Sequence, residues 1–582
     1  MSSFFKKHGI GLLFAVLVGI VLVVPILRAP VSIGEKYQGV QYLPLDDEDI
    51  YRARINEVLE GNVFVTSPYF YEYKDSPLTV PPFNEWLYAM LAFFIGLNGS
   101  IVVLKFLLPT TLFFLVYLLV YRLTEGNDET NDTGSVLIAS VSTGLMVTLG
   151  FEFVNYKYIL SILHGGVANP IVWSRLVNPI VGAVQLFGFL VLLEAIISRR
   201  FKYAYVCAGV LLSLMIGYFF TFGMSLSILG SLFLLVVWKK EWAIARELVY
   251  VGVIGFMLSI WYWINMFSSM TGSEGVVRGM RNGMSFTHTP ILNLALLAGT
   301  VFIVLSAVTM YFRRHIFLHP RTWVFVSALI LGSWVAFNQQ IITGREVWNG
   351  HFFQYSVPLV YVAVGVIAHH SWRILYPRVW LYISLTSMVV ISVFGLFTVS
   401  QVLSRQTEFA RVQEYAPVFR WLNNNAGKEC VVFIKEYDEE FERLIPAYTH
   451  CDVYSSTWTF SGVPSSRVLH NYFLRLRLSG IREENVHEYL MHDVEIVRGY
   501  FYTDWRQLFT EGIDQWYIER VSYLEKEYAH FLQGELEVQM NTYRMDFLMS
   551  KDPILEGTIQ GLPPVYLIDH IGNYYIYTQT RT

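Results

Sequence analysis

Four consecutive acidic residues, Asp46, Asp47, Glu48 and Asp49, follow shortly after an isolated apolar stretch. Tyr51, Arg52 and Arg54 come next, then an aromatic run that ends in Lys74 and a set of prolines. Carboxylates in such a place can serve as a general base toward a hydroxyl, which is the role open to Asp47 and Glu48. They can also ligate a divalent cation, Mg or Mn, for which Asp47 and Asp49 are the candidate ligands. The same charges suit the first turn of a solvated helix, whose dipole favours acids. The spacing leaves these readings open.

Arginines and histidines form a second set. The stretch Asn155 to Pro179 holds Lys157, His164, Arg175 and Asn178, a later one holds Arg278, Arg281 and His288, and another holds Arg345 and His351. A guanidinium is a planar donor suited to phosphate oxygens. Contact with lipid headgroups, or snorkelling from the end of a span, accounts for the same arginines. Each histidine taken alone equally suits an ordinary packed role.

The elements that must position these groups are membrane spans. Of 582 residues 54% are hydrophobic and only 15% charged, and the charge is concentrated in short breaks between apolar runs up to Val399. With about 20 apolar residues needed per crossing, the sequence predicts about eleven spans. They are Ile10 to Leu27, Ile101 to Leu123, Ser135 to Leu149, Ile180 to Ile197, Tyr203 to Phe220, Met224 to Trp238, Leu248 to Phe267, Ile291 to Phe312, Trp323 to Phe337, Phe353 to Ala368, and Val379 to Val399. Pro25, Arg28 and Pro30 follow the first, rather than a small-residue cleavage site, so it reads as a retained anchor.

Lysine and arginine placement orients the bundle. With the N-terminus inside, the inner breaks carry Lys6 and Lys7, Arg122, Arg199 with Arg200 and Lys202, Lys239 with Lys240 and Arg246, Arg313 with Arg314 and Arg321, and Arg373 with Arg378. The segment Trp86 to Leu97 is apolar but too short to cross and is placed on the outer surface. The chain then divides into a transmembrane part, residues 1–399, with outer loops 28–100, 151–179, 268–290 and 343–352, and an extracytoplasmic α/β domain, residues 400–582. In the latter, Phe409 to Asn424, Arg482 to Tyr500 and Ile518 to Leu532 read as helices. Val431 to Lys435 and the stretch around Phe547 read as strands, with a closing hairpin across Gly572 and Asn573. Cys430 and Cys451 suit either a disulfide in an oxidising compartment or two small buried residues. No Walker loop, HExxH, CxxC or GxSxG pattern occurs, and a net charge of -4 gives no sign of a nucleic-acid partner.

The pattern Asp47-Glu48-x-x-Tyr51, then Gly61, Pro68, Tyr71, Lys74, Pro77-Leu78 and Trp86 resembles the first outer loop of GT-C membrane glycosyltransferases, in particular the protein O-mannosyltransferase and lipid A aminoarabinose transferase group. The match by motif covers the chain up to about Leu123. It departs where the families' Lys-Pro-Pro becomes Lys74-Asp75-Ser76-Pro77, with Pro81-Pro82 further on. Oligosaccharyltransferases of the same superfamily carry an acidic metal-binding pair in the second outer loop, which this sequence lacks.

The resemblance implies transfer of a sugar from a polyprenyl-phosphate-linked donor to a glycan, lipid or protein acceptor on the extracytoplasmic face. It implies Asp47 near the reacting centre, with Glu48 beside it. Tyr51, Arg54, Lys74, His164, Arg175, Arg278, Arg281, Arg345 and His351 are the expected substrate contacts. A non-catalytic scaffold of cell-envelope glycan assembly is the rival from another class. A secondary transporter fits less well, because the spans carry almost no charge at their centres and no internal repeat is found. The expected location is a bacterial or archaeal cytoplasmic membrane with the N-terminus inside, though an endoplasmic reticulum membrane satisfies the same topology.

Overall fold

The computed structural model describes residues 2–45, 47–76, 78, 80–125, 133–270, 273–313, 320–405, 409–457, 463–555 and 559–579. Asp46, Pro77 and Arg314, which the sequence reading used, lie outside the described residues.

Each of the eleven apolar segments falls on helix to within a few residues. Nine helices among the described residues are long and apolar enough to cross a membrane. Two shorter apolar ones, Thr133–Thr148 and Ala204–Gly217, accompany them. The second of these ends in a 3-10 turn, Met215–Gly217, before the next helix starts at Phe219. The expected count of full-length crossings is thereby reduced, since a helix rises only about 1.5 Å per residue. The architecture is that of a polytopic α-helical membrane protein.

The helix Phe83–Glu125 is broken at Gly96, whose φ of 75° lies in the left-handed region that a residue without Cβ adopts readily. The break separates the outer segment Trp86 to Leu97 from the span that begins at Ile101. Asn84, Glu85 and Tyr88 are buried on one side of this segment, while Phe93 and Phe94 are exposed on the other.

The two ends of the bundle differ in character. At one end, cationic residues are paired locally: Lys7 with Glu125 at 2.5 Å, Arg122 with Glu194 at 3.3 Å, and Arg199 with Glu247. At the other end the long loops gather on the C-terminal part of the chain. There Ser285–Phe286 pairs antiparallel with Arg345–Glu346, joining two of the loops.

The C-terminal part carries a mixed five-stranded sheet in the order Asp452–Val453, Val431–Ile434, Phe547–Ser550, Tyr574–Gln579, Val565–Ile571. The first three strands are parallel and the last two antiparallel, which is the closing hairpin expected from the sequence. The helices Glu439–Tyr448 and Ser465–Leu478, together with the two-residue edge strand, are additions to the sequence reading. Cys430 and Cys451 form a disulfide that ties the starts of the first two parallel strands.

This sheet is seated directly on the first long loop. The Val453 amide donates to the Tyr69 carbonyl at 2.9 Å. Gln413 bridges Gln38 and Val40, and the Arg52 Nε donates to the Ala447 carbonyl at 3.0 Å. Such bonds satisfy loop backbone that would otherwise be buried without partners.

Candidate functional site

The helix Glu48–Glu60 carries the acidic motif, and Asp47 is its N-cap residue. Gly61 closes the helix in the left-handed conformation, donating its amide to the Val58 carbonyl. The Asp47 side chain makes no cap bond and remains one-third exposed. Its Oδ2 accepts from the Arg175 Nη2, so the first and second long loops meet through this pair.

Around the pair lies a polar cluster closed off by aromatic side chains. The Tyr51 phenol, one helical turn on from Asp47, faces Asn178. Burial, and then the Asp47 charge, pushes Tyr51 above its ordinary range. Burial alone would lower the Arg175 guanidinium, but Asp47, followed by Tyr51 and Glu48, holds it above its ordinary range. Asn178 accepts from the Asn84 Nδ2 at 2.8 Å, and Asn84 in turn accepts from the Gln185 Nε2 at 3.0 Å. The Tyr218 hydroxyl is 2.6 Å from the His351 Nδ1, and the His351 ring stacks on Phe220 at 4.5 Å. The Arg175 charge acts on Tyr218, His351 and Tyr355, so these groups share one neighbourhood. Tyr355 donates to the Pro179 carbonyl at 3.2 Å, an approach that Gly182 permits: a Cβ there would lie 2.4 Å from the Tyr355 hydroxyl.

Glu48 has a different place. It is fully buried; its Oε1 accepts from the Lys105 Nζ and from the Leu176 amide, both at 2.6 Å, and its Oε2 from the Leu45 amide at 3.3 Å. It therefore locks the start of its helix to a spanning helix and to the second loop. Both of its oxygens are engaged by these three donors. Asp49 turns toward Arg443, 4.0 Å away, on the C-terminal part. Asp47 and Asp49 face different arginines, Arg175 and Arg443. Among the described residues the group of three potential metal ligands close together is Cys430, His450 and Cys451, and both cysteines are spent in the disulfide.

The remaining expected contacts are distributed as follows. Arg54 is buried against Glu85 at 2.5 Å and the Val80 carbonyl at 3.2 Å, which fixes the proline-rich turn to the helix. Lys74 stands with Glu57 and Asp452, each at 3.0 Å, and with Glu429 at 3.8 Å. Glu57 is ten residues from Asp47, about 15 Å along the helix, so Lys74 clamps the far end of the helix to the sheet. Arg281 donates to the Tyr500 carbonyl at 3.0 Å and covers the Tyr502 ring, docking its loop on the C-terminal part. Arg278 is half-buried on the same helix, Ser273–Arg281. His164 and Arg345 are exposed, His164 bonding the Leu160 carbonyl of its own helix at 2.7 Å.

Of the expected site residues the structure thus brings together Asp47, Tyr51, Arg175 and His351. Asn178, named in the sequence beside Arg175, joins them, and so do Tyr218, Tyr355, Asn84 and Gln185, which had not been singled out. A run of isolated polar side chains at span ends was the available signal.

An arrangement of this kind can bind an anionic group at Arg175 and offer Asp47 to a hydroxyl. No protein-family profile matches the chain, and no curated protein does. Two solved structures are similar over most of its length. One is the crystal structure of ArnT from Cupriavidus metallidurans bound to undecaprenyl phosphate, 10% identical, with a TM-score of 0.47 over 98% of each chain. The other is the archaeal oligosaccharyltransferase AglB from Archaeoglobus fulgidus in complex with an inhibitory peptide and a dolichol-phosphate. That one is 12% identical, with a TM-score of 0.45 over 94% of this chain and 70% of the other.

Proposed function

We propose that the chain is an integral membrane glycosyltransferase of the GT-C type, moving a hexosyl or pentosyl group from a polyprenyl-phosphate donor to an acceptor hydroxyl. The reaction takes place at the loop end of the bundle, which is extracytoplasmic in this reading, with the N-terminus in the cytoplasm. Residues 1–399 supply the membrane part and the reacting loops, and residues 400–582 form the domain that holds those loops in place.

The observation that carries the reading is the Asp47–Arg175 pair, its carboxylate one-third exposed, at the rim of an otherwise buried polar cluster. A phosphate offers several anionic oxygens and competes with a single carboxylate for a planar guanidinium. Once Arg175 turns to the donor phosphate, Asp47 has a lone pair free for the acceptor hydroxyl. Asp47 takes the hydroxyl proton as the acceptor oxygen bonds to the anomeric carbon, and the bond from that carbon to the phosphate oxygen breaks. The polyprenyl phosphate departs with its new charge stabilised by Arg175. A single displacement inverts the anomeric centre. Tyr218, His351 and the Gln185–Asn84–Asn178 chain supply hydroxyl, imidazole and amide groups for the sugar.

The test is incubation of the purified protein with a panel of polyprenyl-phosphate sugars, following lipid-phosphate release by mass spectrometry. Release from one donor supports the reading and names the sugar. Absence of both binding and release across the panel overturns it in favour of a scaffold.

A further inference from the structure

The second long loop contains a short helix, Tyr156–Leu163, whose sides differ in character. At about 3.6 residues per turn, Tyr156, Ile159, Leu160 and Leu163 share one face. Tyr156, Leu160 and Leu163 are 61%, 49% and 74% exposed there, so this apolar face has little protein against it. Lys157, Ser161 and His164 form a second, polar face that is also exposed. Tyr158 and Ile162 are half-buried on a third. The Tyr158 hydroxyl accepts from the Asn169 amide at 2.9 Å, which ties the helix to the returning chain on that side. The apolar and polar faces both remain outward, about a third of a turn apart.

Span ends fix the level of this helix. The apolar helix Thr133–Thr148 ends just before it, and Ile180–Ile197 begins where the loop ends. The Arg405 guanidinium, at the loop end of the last helix Pro377–Ser404, donates to the Ala168 carbonyl. Phe153, in the turn that leads into Tyr156–Leu163, meets Phe394 of the last helix edge-on, with ring centroids 4.8 Å apart. Val393 and Leu396, beside Phe394, are exposed on a helix long and apolar enough to cross a membrane, so the surface there faces lipid. An apolar recess of about 390 Å³, lined by Met146, Phe153 and Val390 among others, belongs to the same surface. The open face of Tyr156–Leu163 thus stands at the rim of a lipid-facing wall.

We propose that Tyr156–Leu163 is an interfacial anchor whose partner is the lipid leaflet at the loop end of the bundle. Tyr156, Leu160 and Leu163 enter the boundary between headgroups and acyl chains, and Lys157 and His164 stay among headgroups and water. Burial of the apolar side chains drives the contact, and a tyrosine, apolar with a polar tip, suits that boundary. A soluble partner would have to displace the lipid that the adjoining helix surface requires. The anchor keeps the second long loop at headgroup level, and the same loop carries Arg175. It stands whether or not the chain is a transferase.

Spin labelling of the full-length protein, reconstituted in vesicles of phosphatidylcholine and phosphatidylglycerol, tests it. Cys207→Ser removes the free thiol, and the bridged Cys430 and Cys451 take no label. Single labels are then placed through Leu160→Cys, Leu163→Cys, Lys157→Cys or Ser161→Cys, all at exposed positions where they disturb no packing. Val393→Cys serves as the lipid-facing reference. Power saturation compares collisions with oxygen, which concentrates in lipid, and with a water-soluble nickel complex. Labels at Leu160 and Leu163 are expected to favour oxygen, at a depth between those of Ser161 and Val393, and labels at Lys157 and Ser161 to favour nickel. A nickel preference at both Leu160 and Leu163 overturns the proposal, since the helix then stands in water. Exclusion of both reagents at these two positions also overturns it, assigning the face to a protein partner such as a second copy of the chain. An oxygen preference at all four positions overturns it as well, since the helix then lies within the hydrocarbon rather than at its boundary.

Discussion

Replacing Glu48 with alanine is the perturbation whose cost can be worked most directly from the geometry. The Glu48 carboxylate is wholly buried and accepts from three donors, the Lys105 ammonium and the Leu176 and Leu45 amides. Lys105 itself is 4% exposed and, among the described residues, keeps the Ser174 carbonyl at 2.6 Å as its other partner. Removing the carboxylate strands that ammonium in a low-dielectric site, at a cost of about 3–5 kcal/mol. Lys105→Met is expected to cost less, since Glu48 keeps its two amide donors, and the double variant removes both charges together. The losses should therefore fail to add, with the double variant more stable than the sum of the single losses implies by about 2 kcal/mol. Chemical unfolding in detergent, followed by tryptophan fluorescence, measures the cycle. Additive losses, or a Glu48→Ala variant within about 0.5 kcal/mol of wild type, would refute the buried clamp.

Three further expectations concern separate parts of the molecule. The Cys430–Cys451 bridge spans 21 residues. By the chain-entropy estimate, Cys430→Ser with Cys451→Ser destabilises the C-terminal part by about 3 kcal/mol, read as a lower midpoint in denaturant that reductant reproduces in the wild type. Glu60 is raised to about 7 by burial and then by Glu57, so the folded protein holds a proton that the unfolded chain releases near the ordinary carboxylate value of 4.5. Its contribution falls as pH rises between these two values, so Glu60→Gln should stabilise the protein at about pH 8 and make no difference at about pH 4, in melting curves taken across that range. Arg175→Lys keeps the charge but loses the planar fork, and is expected to weaken polyprenyl-phosphate binding about tenfold or more in a titration with fluorescent lipid.

Length and apolar periodicity made the spans legible, and the basic breaks marked which segments meet at one end. The break at Gly96 is an instance: an apolar stretch too short to cross is separated from its neighbour by a residue that tolerates a positive φ. Residue type also pointed to Asp47 and Arg175, but their pairing crosses 128 positions and no local spacing encodes it. Lys74 and Arg54 illustrate the limit. The loop motif set both beside the acidic residues, whereas Asp452 and Glu85, distant in the chain, provide buried counter-charges that claim them. Tyr218 and Tyr355 escaped attention because a tyrosine in an apolar run reads as ordinary span composition until its hydroxyl is seen to have polar neighbours.

The central claim is that Asp47 takes the acceptor proton while Arg175 holds the donor phosphate. Asp47→Asn tests it most directly, because asparagine keeps the shape and a bond to Arg175 but cannot act as a base. Single-turnover release of lipid phosphate would be followed by mass spectrometry with the donor identified for the wild type, alongside donor binding. The account predicts release slowed about 10²–10⁴-fold with binding retained. Equal rates in the variant and the wild type would contradict it.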